Sequence, residues 1–196
     1  MVTADKYVLK SEPLQKAKRW QPYLRMKSTQ KIKDINQGDC LTFKTSNNRY
    51  KVIFCIGTNK EKSPQSFSFA ATTFDKDFKP TLDDLSDTDF WGKGNRNDFK
   101  YSEREIERMW AYHPNNKPYF LGTYGILIFR KEFMQWRENF ELMGNLPIVD
   151  NLEQNGSGSF YPGNLDNLYK FFTEDLEHVM DQRGQSKFKL KAVIKD

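Results

Sequence analysis

One stretch limits the possible folds more than any other. Residues 35–57 read INQGDCLTFKTSNNRYKVIFCIG. Gly38-Asp39 is a turn signal ahead of the run 40–44, CLTFK. A polar centre, Thr45-Ser46-Asn47-Asn48, separates it from the β-branched and aromatic run 49–56. Asn tolerates the left-handed backbone of tight hairpin turns, so the pattern predicts a β-hairpin. The second strand is apolar on both faces from Val52 to Ile56, which places it inside a sheet rather than at an edge.

The hairpin holds both cysteines of the chain. With Asn47-Asn48 as a two-residue loop, Cys40 stands opposite Cys55. Paired strand positions lie about 5.5 Å apart at Cα, within bridging range of a disulfide. A longer loop changes the register and separates the pair. Two reduced, buried thiols acting as small hydrophobes are favoured over a bridge.

The rest of the chain alternates strand and helix signals. Residues 6–10 read as a short first strand ended by Pro13, and residues 14–33 as irregular, interrupted by Pro22. Residues 66–74 predict a strand with Phe67 and Phe69 on one face, followed by a loop-rich acidic segment over 75–98. Ser102 and Glu105 form a capping box ahead of Ile106, Met109 and Trp110, predicting a helix over 102–112 stopped by Pro114. Residues 119–130 predict a long strand bent at Gly122 or Gly125. Phe133, Trp136 and Phe140 suggest a short helix or extended turn, and residues 141–148 a strand interrupted by Gly144. Residues 155–159, NGSGS, read as an exposed loop.

Leu165, Leu168, Phe172, Leu176 and Val179 share one helical face. Phe188, Leu190, Ala192 and Ile194 alternate with lysines, as in a half-buried strand with a basic outer face. With no internal repeat or linker, residues 1–196 predict a single α+β domain. Its centre is a curved, mostly antiparallel sheet or partly open barrel with two or three packed helices.

Composition narrows the functional classes. No apolar run approaches the roughly 20 residues that span a bilayer, and the first residues, MVTADKYVLKSEP, lack the apolar core of a signal peptide. Two cysteines do not make a secreted disulfide scaffold. A cytoplasmic protein without membrane contact is expected. The net charge of +5 is concentrated in residues 1–62, which hold 14 Lys and Arg against 5 Asp and Glu. Such asymmetry suits nucleic acid or an acidic protein partner.

Catalytic and metal patterns are weak. The two histidines, His113 and His178, read as capping or surface residues, and with two cysteines they supply no zinc spacing. Asp87, Asp89 and Gly92 match part of a calcium loop, but Trp91 takes a ligand position and the closing Glu is absent, so a solvated loop is favoured. The glycines at 92 and 94 fit neither a phosphate loop nor a dinucleotide fingerprint. No catalytic residue, metal ligand or cofactor is assigned. The best binding candidates combine cations with aromatics: Lys18, Arg19, Trp20, Tyr23 and Arg25 in the basic segment, and Trp91 with Arg96 in the Gly-rich loop.

The hairpin Gly38-Asp39-Cys40-Leu41-Thr42-Phe43, followed by Arg49-Tyr50-Lys51-Val52-Ile53, resembles the start of the immunity protein 26 family of bacterial polymorphic-toxin immunity proteins. Trp136 with Phe140-Glu141-Leu142-Met143-Gly144-Asn145-Leu146-Pro147-Ile148 resembles that family's later Trp-then-Gly strand. The resemblance implies a mostly β fold and a non-enzymatic inhibitor whose partner is a cognate toxin. The acidic insert, the helix at 102–112 and the basic N-terminal segment depart from it. Tyr7-Val8-Leu9-Lys10-Ser11-Glu12-Pro13 is similar to the first strand of EVE domains in the PUA-like superfamily, which implies nucleic-acid binding as the alternative.

Overall fold

The computed structural model describes residues 32–60, 64–85, 87–95, 102–112, 120–149, 152 and 158–195. The predicted strand at 6–10, residues 14–31, Arg96 and His113 lie outside them, as do the side chains of Ile106, Met109 and Trp110. The predicted hairpin is present as β1 (Asp39–Lys44) and β2 (Tyr50–Lys60), paired antiparallel. β3 (Pro64–Lys76) lies on the other side of β2, so β2 is an inner strand as its two apolar faces require. Val52, Phe54 and Ile56 point into one hydrophobic cluster, Ile53 and Cys55 into the other.

The hairpin loop is longer than two residues. The Asn48 N–H donates to the Thr45 carbonyl at 3.0 Å, and the Thr45 N–H to the Arg49 carbonyl at 2.9 Å. Asn48 adopts φ 63°. This is a turn closed by a left-handed residue, with Asn where glycine is usual. Lys44 therefore pairs with Tyr50, and Cys40 with Phe54 rather than Cys55. The expected Cys40–Cys55 pairing is corrected by one residue, and in a strand one residue reverses the face. Both cysteines are buried thiols, one in each cluster. Burial raises the Cys40 thiol far above its ordinary range, with smaller contributions from Asp39 and Cys55.

β4 (Asp89–Asn95), α1 (Glu103–Tyr112), β5 (Phe120–Gly122) and β6 (Gly125–Phe129) come next along the chain. The capping box forms as read: the Glu105 N–H donates to Ser102 Oγ at 3.3 Å, and the Ser102 N–H to Glu105 Oε2 at 2.8 Å. The bend expected at Gly122 or Gly125 falls between the two glycines, at Thr123–Tyr124, and lets one run serve two partners. β5 pairs with β4, and β6 with β3. The Thr123 hydroxyl donates to the Trp91 carbonyl at 2.6 Å, and Gln185 Oε1 accepts the Tyr124 N–H at 2.9 Å, so buried polar groups at the corner are satisfied.

α2 (Arg130–Trp136) buries Phe133 and Trp136, and β7 (Phe140–Asn145) pairs with β1. Cys40 pairs with Gly144 and Leu41 with Leu142, leaving Met143 as the extra residue of a bulge. β8 (Ser159–Phe160) adds a short parallel pairing to β6. The sheet has nine strands among the described residues, is mostly antiparallel and curved, and does not close into a barrel. The fold is α+β.

The expected C-terminal helix is α3 (Leu165–Lys170), a π turn over Phe171–Asp175, and α4 (Leu176–Gln182). A π turn inserts about one residue and rotates the next turns of the helix about its axis. Met180 is accordingly fully buried where the regular period selects Val179, which is half-buried. The last predicted strand is shortened too. β9 (Ser186–Lys189) pairs with β4 only as far as Asp89. Beyond Asp89 the neighbouring chain turns away, and the Leu190 N–H donates to the Thr88 carbonyl at 3.0 Å. Residues Leu190–Val193 coil into a 3-10 turn that buries Leu190, Ala192 and Val193.

The inner face is built from rings. Phe43 lies 5.4 Å from Phe140 and 5.0 Å from Phe172, while Phe133 lies 5.6 Å from Phe140 and 5.5 Å from Phe67. These contacts tie β1, β7, α2 and β3 to the C-terminal helical segment. Edge and offset pairs each add about 0.5–1.5 kcal/mol beyond their area burial.

Gly38 sits where three chain segments meet. Its φ is +87°, and a Cβ there stands 2.0 Å from the Leu146 carbonyl oxygen. Gly38→Ala is expected to destabilise the protein by at least about 2 kcal/mol, read by urea unfolding. Asn48→Ala, in an open turn, should cost about 1 kcal/mol, whereas Asn48→Gly should leave the midpoint unchanged or raise it. Equal midpoints for both Asn48 variants would show that φ at this position carries no strain.

Candidate functional site

Two features of the described surface have the chemistry to bind something. The first is a cleft at an irregularity in the pairing of β2 with β3. Lys51 pairs with Asp75 and Ile53 with Ala71, so one residue on β2 faces three on β3. At this irregularity, larger than a simple one-residue bulge, β3 reaches β4, where Thr72 pairs with Phe90. The Thr72 hydroxyl donates to the Val52 carbonyl at 2.8 Å, and the Thr73 hydroxyl to the Asp89 carbonyl at 3.2 Å, so the polar backbone of the bulge stays satisfied.

The cleft has a volume of about 350 Å3. One wall is the bulge with Lys51 and Asp75, the other the π turn and the start of α4, including Phe172, Glu174 and Glu177. Trp91 and Lys187 also line it. Trp91 and Lys187 are cross-strand partners, and Lys187 Nζ lies 4.8 Å from the centre of the Trp91 ring. Lys187 also pairs with Glu177 at 3.3 Å.

Lys51 is the unusual group here. Its side chain is 8% exposed, and its Nζ lies 2.9 Å from Asp75 Oδ2. Arg49 Nε donates to the other carboxylate oxygen at 2.7 Å. Burial pushes the Asp75 carboxyl up, but hydrogen bonds and charge from Lys51 and Arg49 outweigh it, and the net position is below the usual carboxylate range.

The second feature is a pair of exposed rings. Phe129 is 43% and Tyr161 48% exposed, with ring centres 5.3 Å apart in an edge-to-face arrangement. Glu132 holds both: its Oε2 accepts the Phe129 N–H at 3.3 Å, and its Oε1 accepts a short hydrogen bond from the Tyr161 hydroxyl. That bond, with Glu132's charge, raises the Tyr161 pKa above its ordinary value. The loop behind Tyr161 is fixed from α3. Asn164 Oδ1 accepts the Asn167 N–H at 2.8 Å, and Asn167 Nδ2 donates to the Pro162 carbonyl at 2.8 Å. Arg130 and Asp34, 3.6 Å apart, stand beside Phe129 as a charged margin.

The residues singled out from the sequence distribute differently. Lys18, Arg19, Trp20, Tyr23, Arg25 and Arg96 lie outside the described residues. Trp91 is described, but as a 5% exposed member of the inner core with a cation over its ring, not as a protruding anchor. Phe129 and Tyr161 are not marked by the sequence pattern. Phe129 closes a predicted strand, and only its place at the β6–α2 junction turns the ring outward. The acidic run at 83–89 reads from the sequence as a solvated loop. Asp83, Asp84 and Asp87 are exposed as in a solvated loop, and Asp87 and Asp89 also pair with Lys191 and Lys189 of the C-terminal segment, each at 2.9 Å. Among the described residues no group of three or more His, Cys, Asp and Glu could hold a metal ion. No described helix is long and apolar enough to cross a membrane.

The Asp75 geometry sets an acid dependence. Its folded pKa is lowered, so its contribution is present above the unfolded value of about 3.9 and is lost as pH falls through the lower folded value. Asp75→Asn should reduce this acid-side loss in unfolding measured below pH 4. At neutral pH the variant leaves Lys51 without its carboxylate, and since Asp75 is half exposed, screening limits the cost to about 1–2 kcal/mol. An unaltered acid limb in Asp75→Asn would exclude this pairing as its source.

No family model, curated protein or solved structure matches the chain.

Proposed function

We propose that this chain is a non-enzymatic immunity-type protein that binds and neutralises a cognate bacterial toxin in the cytoplasm. The observation that carries the reading is the Phe129–Tyr161 pair, two large exposed rings in edge-to-face contact, the Tyr161 hydroxyl tied to Glu132, with charged groups at their margin. Tight protein interfaces concentrate their free energy in a few such aromatic anchors inside a polar rim. Ordering these rings before contact lowers the entropic cost of association. The hairpin that carries the resemblance to immunity proteins supports the reading in a different way. Its Gly-Asp start is a structural corner, so a shared Gly-Asp signature is compatible with a shared framework bearing different toxin-specific surfaces.

A protein partner is favoured over nucleic acid for the described surface. The lysines of the C-terminal segment, which alternation alone presents as a basic face, are matched internally: Lys187 with Glu177, Lys189 with Asp89 and Lys191 with Asp87. Phosphate binding requires cations whose counterions are free to leave.

The test is protection from a toxin. The reading frame adjoining this chain's gene is expressed in a bacterial host with and without the chain, and growth is monitored. Rescue is expected, with a stable complex of the two proteins. The double variant Phe129→Ala/Tyr161→Ala should keep its melting midpoint within a few degrees and weaken the complex about 30-fold or more, the loss of an anchor of about 2 kcal/mol. A folded double variant that binds and protects as well as the parent removes the aromatic pair from the interface. Absence of both rescue and complex overturns the immunity reading.

A further inference from the structure

We infer that the cleft at the β3 bulge binds a small zwitterion of the α-amino-acid type, with its carboxylate on Lys51 and its ammonium between Glu174 and Glu177. The inference is independent of the toxin-binding reading, because none of these residues belongs to the Phe129–Tyr161 surface.

The cationic wall comes first. An ammonium has three donors. Lys51 is more than nine-tenths buried, lines the cleft and gives one donor to Asp75 Oδ2. A buried ammonium holds its charge at a cost unless its remaining donors find acceptors. Asp75 is already shared with Arg49. Arg49 stands outside the lining of the cleft, but it neutralises Asp75 from behind, which leaves the charge of Lys51 uncompensated on the cleft side. The Thr72 and Thr73 hydroxyls are committed to backbone carbonyls, so on this wall Lys51 is the cationic donor that meets an incoming carboxylate, with the Asn47 amide beside it in the lining.

The facing wall has the opposite excess. Glu174 and Glu177 against Lys187 leave one negative charge. Lys187 itself is half exposed and holds Glu177 at 3.3 Å, a loose pair that an incoming ammonium can share. A simple anion placed in the cleft meets the two glutamates, and a simple cation meets Lys51. A molecule carrying both charges a few ångströms apart satisfies both walls. Trp91 and Phe172 offer apolar surface for its stem. The volume of about 350 Å3 lies at the small end of ligand sites, which run from about 300 to 1,000 Å3. The π turn that forms the second wall is a distortion frequently found at functional sites.

The experiment uses the full chain. Each proteinogenic amino acid is added in turn and binding is read by calorimetry and by the shift in melting midpoint. For those that bind, the N-acetyl and the carboxamide derivatives are titrated alongside. At least one free amino acid is expected to bind and to raise the midpoint, and blocking either charge should weaken it about tenfold or more, equivalent to about 1.4 kcal/mol. Lys51→Met should abolish discrimination between the free acid and the carboxamide. Should that variant fail to fold, Glu174→Gln, an exposed position, carries the test through the ammonium end: with Glu177 still in place it should narrow the discrimination against the N-acetyl form severalfold while the unliganded midpoint stays unchanged. The inference is overturned if no free amino acid binds, if a blocked derivative binds as tightly as the free one, or if Glu174→Gln leaves the discrimination intact.

Discussion

Everything in this fold is registered from the close backbone approach at Gly38. The Gly38 N–H donates to the Cys55 carbonyl at 2.7 Å, and its own carbonyl accepts the Leu146 N–H at 2.9 Å. One residue without a side chain thus joins the middle of β2 to the segment leaving β7. Asp39 secures the same corner. Its Oδ2 accepts the Asn36 N–H at 2.7 Å and its Oδ1 accepts Asn145 Nδ2 at 2.8 Å, while Asn145 Nδ2 also reaches the Gln37 carbonyl at 2.8 Å. Asp39 is buried, and a buried carboxylate persists where its oxygens are met by donors. The Gly-Asp pair is therefore explained by geometry and hydrogen bonding without any reaction or ligand.

The pinned corner imposes a second constraint. With β1, β2 and β7 held at one end, the sheet has to accommodate its curvature further along, and it does so at the bulge of β3. There β3 leaves the ladder of β2 and reaches towards β4, and the gap is filled by charged side chains rather than by core. Lys51 and Asp75 are directly opposed across the strands, as are Trp91 and Lys187. Cross-strand opposition places these pairs on a common face. The cleft is the price of bending a wide sheet without closing it, and its chemistry is set by residues that pairing alone brings together.

The elements legible in the sequence are those written in short-range pattern. The hairpin, the inner position of its second strand, the capping box at Ser102 and Glu105, and an interruption of the 119–130 run near its glycines each have a local cause. The features that escape a sequence reading depend on register or phase. The turn at 45–49 needs Asn48 in a left-handed conformation, and nothing in Asn47-Asn48 distinguishes a two-residue loop from the longer one. The π turn at 171–175 shifts the buried position from Val179 to Met180 without a proline or glycine to announce it. The alternation at 188–194 is genuine, but a strand requires a neighbour, and β4 supplies one only to Asp89. For the candidate surfaces, composition marks Trp91, yet burial depends on where β9 and the inner core lie. Tyr161 and Phe129, far apart in sequence, become one surface only through the parallel pairing of β8 with β6 and the carboxylate of Glu132.

The one-residue difference in the hairpin has a consequence for how the molecule can be watched. Because Cys40 belongs to one core and Cys55 to the other, the sheet itself stands between the two sulfurs. A thiol reagent reaches Cys40 when the layer around Leu146, Ile148 and Leu190 opens, and reaches Cys55 when the aromatic layer around Phe67 and Phe69 opens. Labelling rates at the two positions then resolve the opening of each face separately. The chain thereby carries a built-in reporter on either side of its sheet, one for each half of its interior.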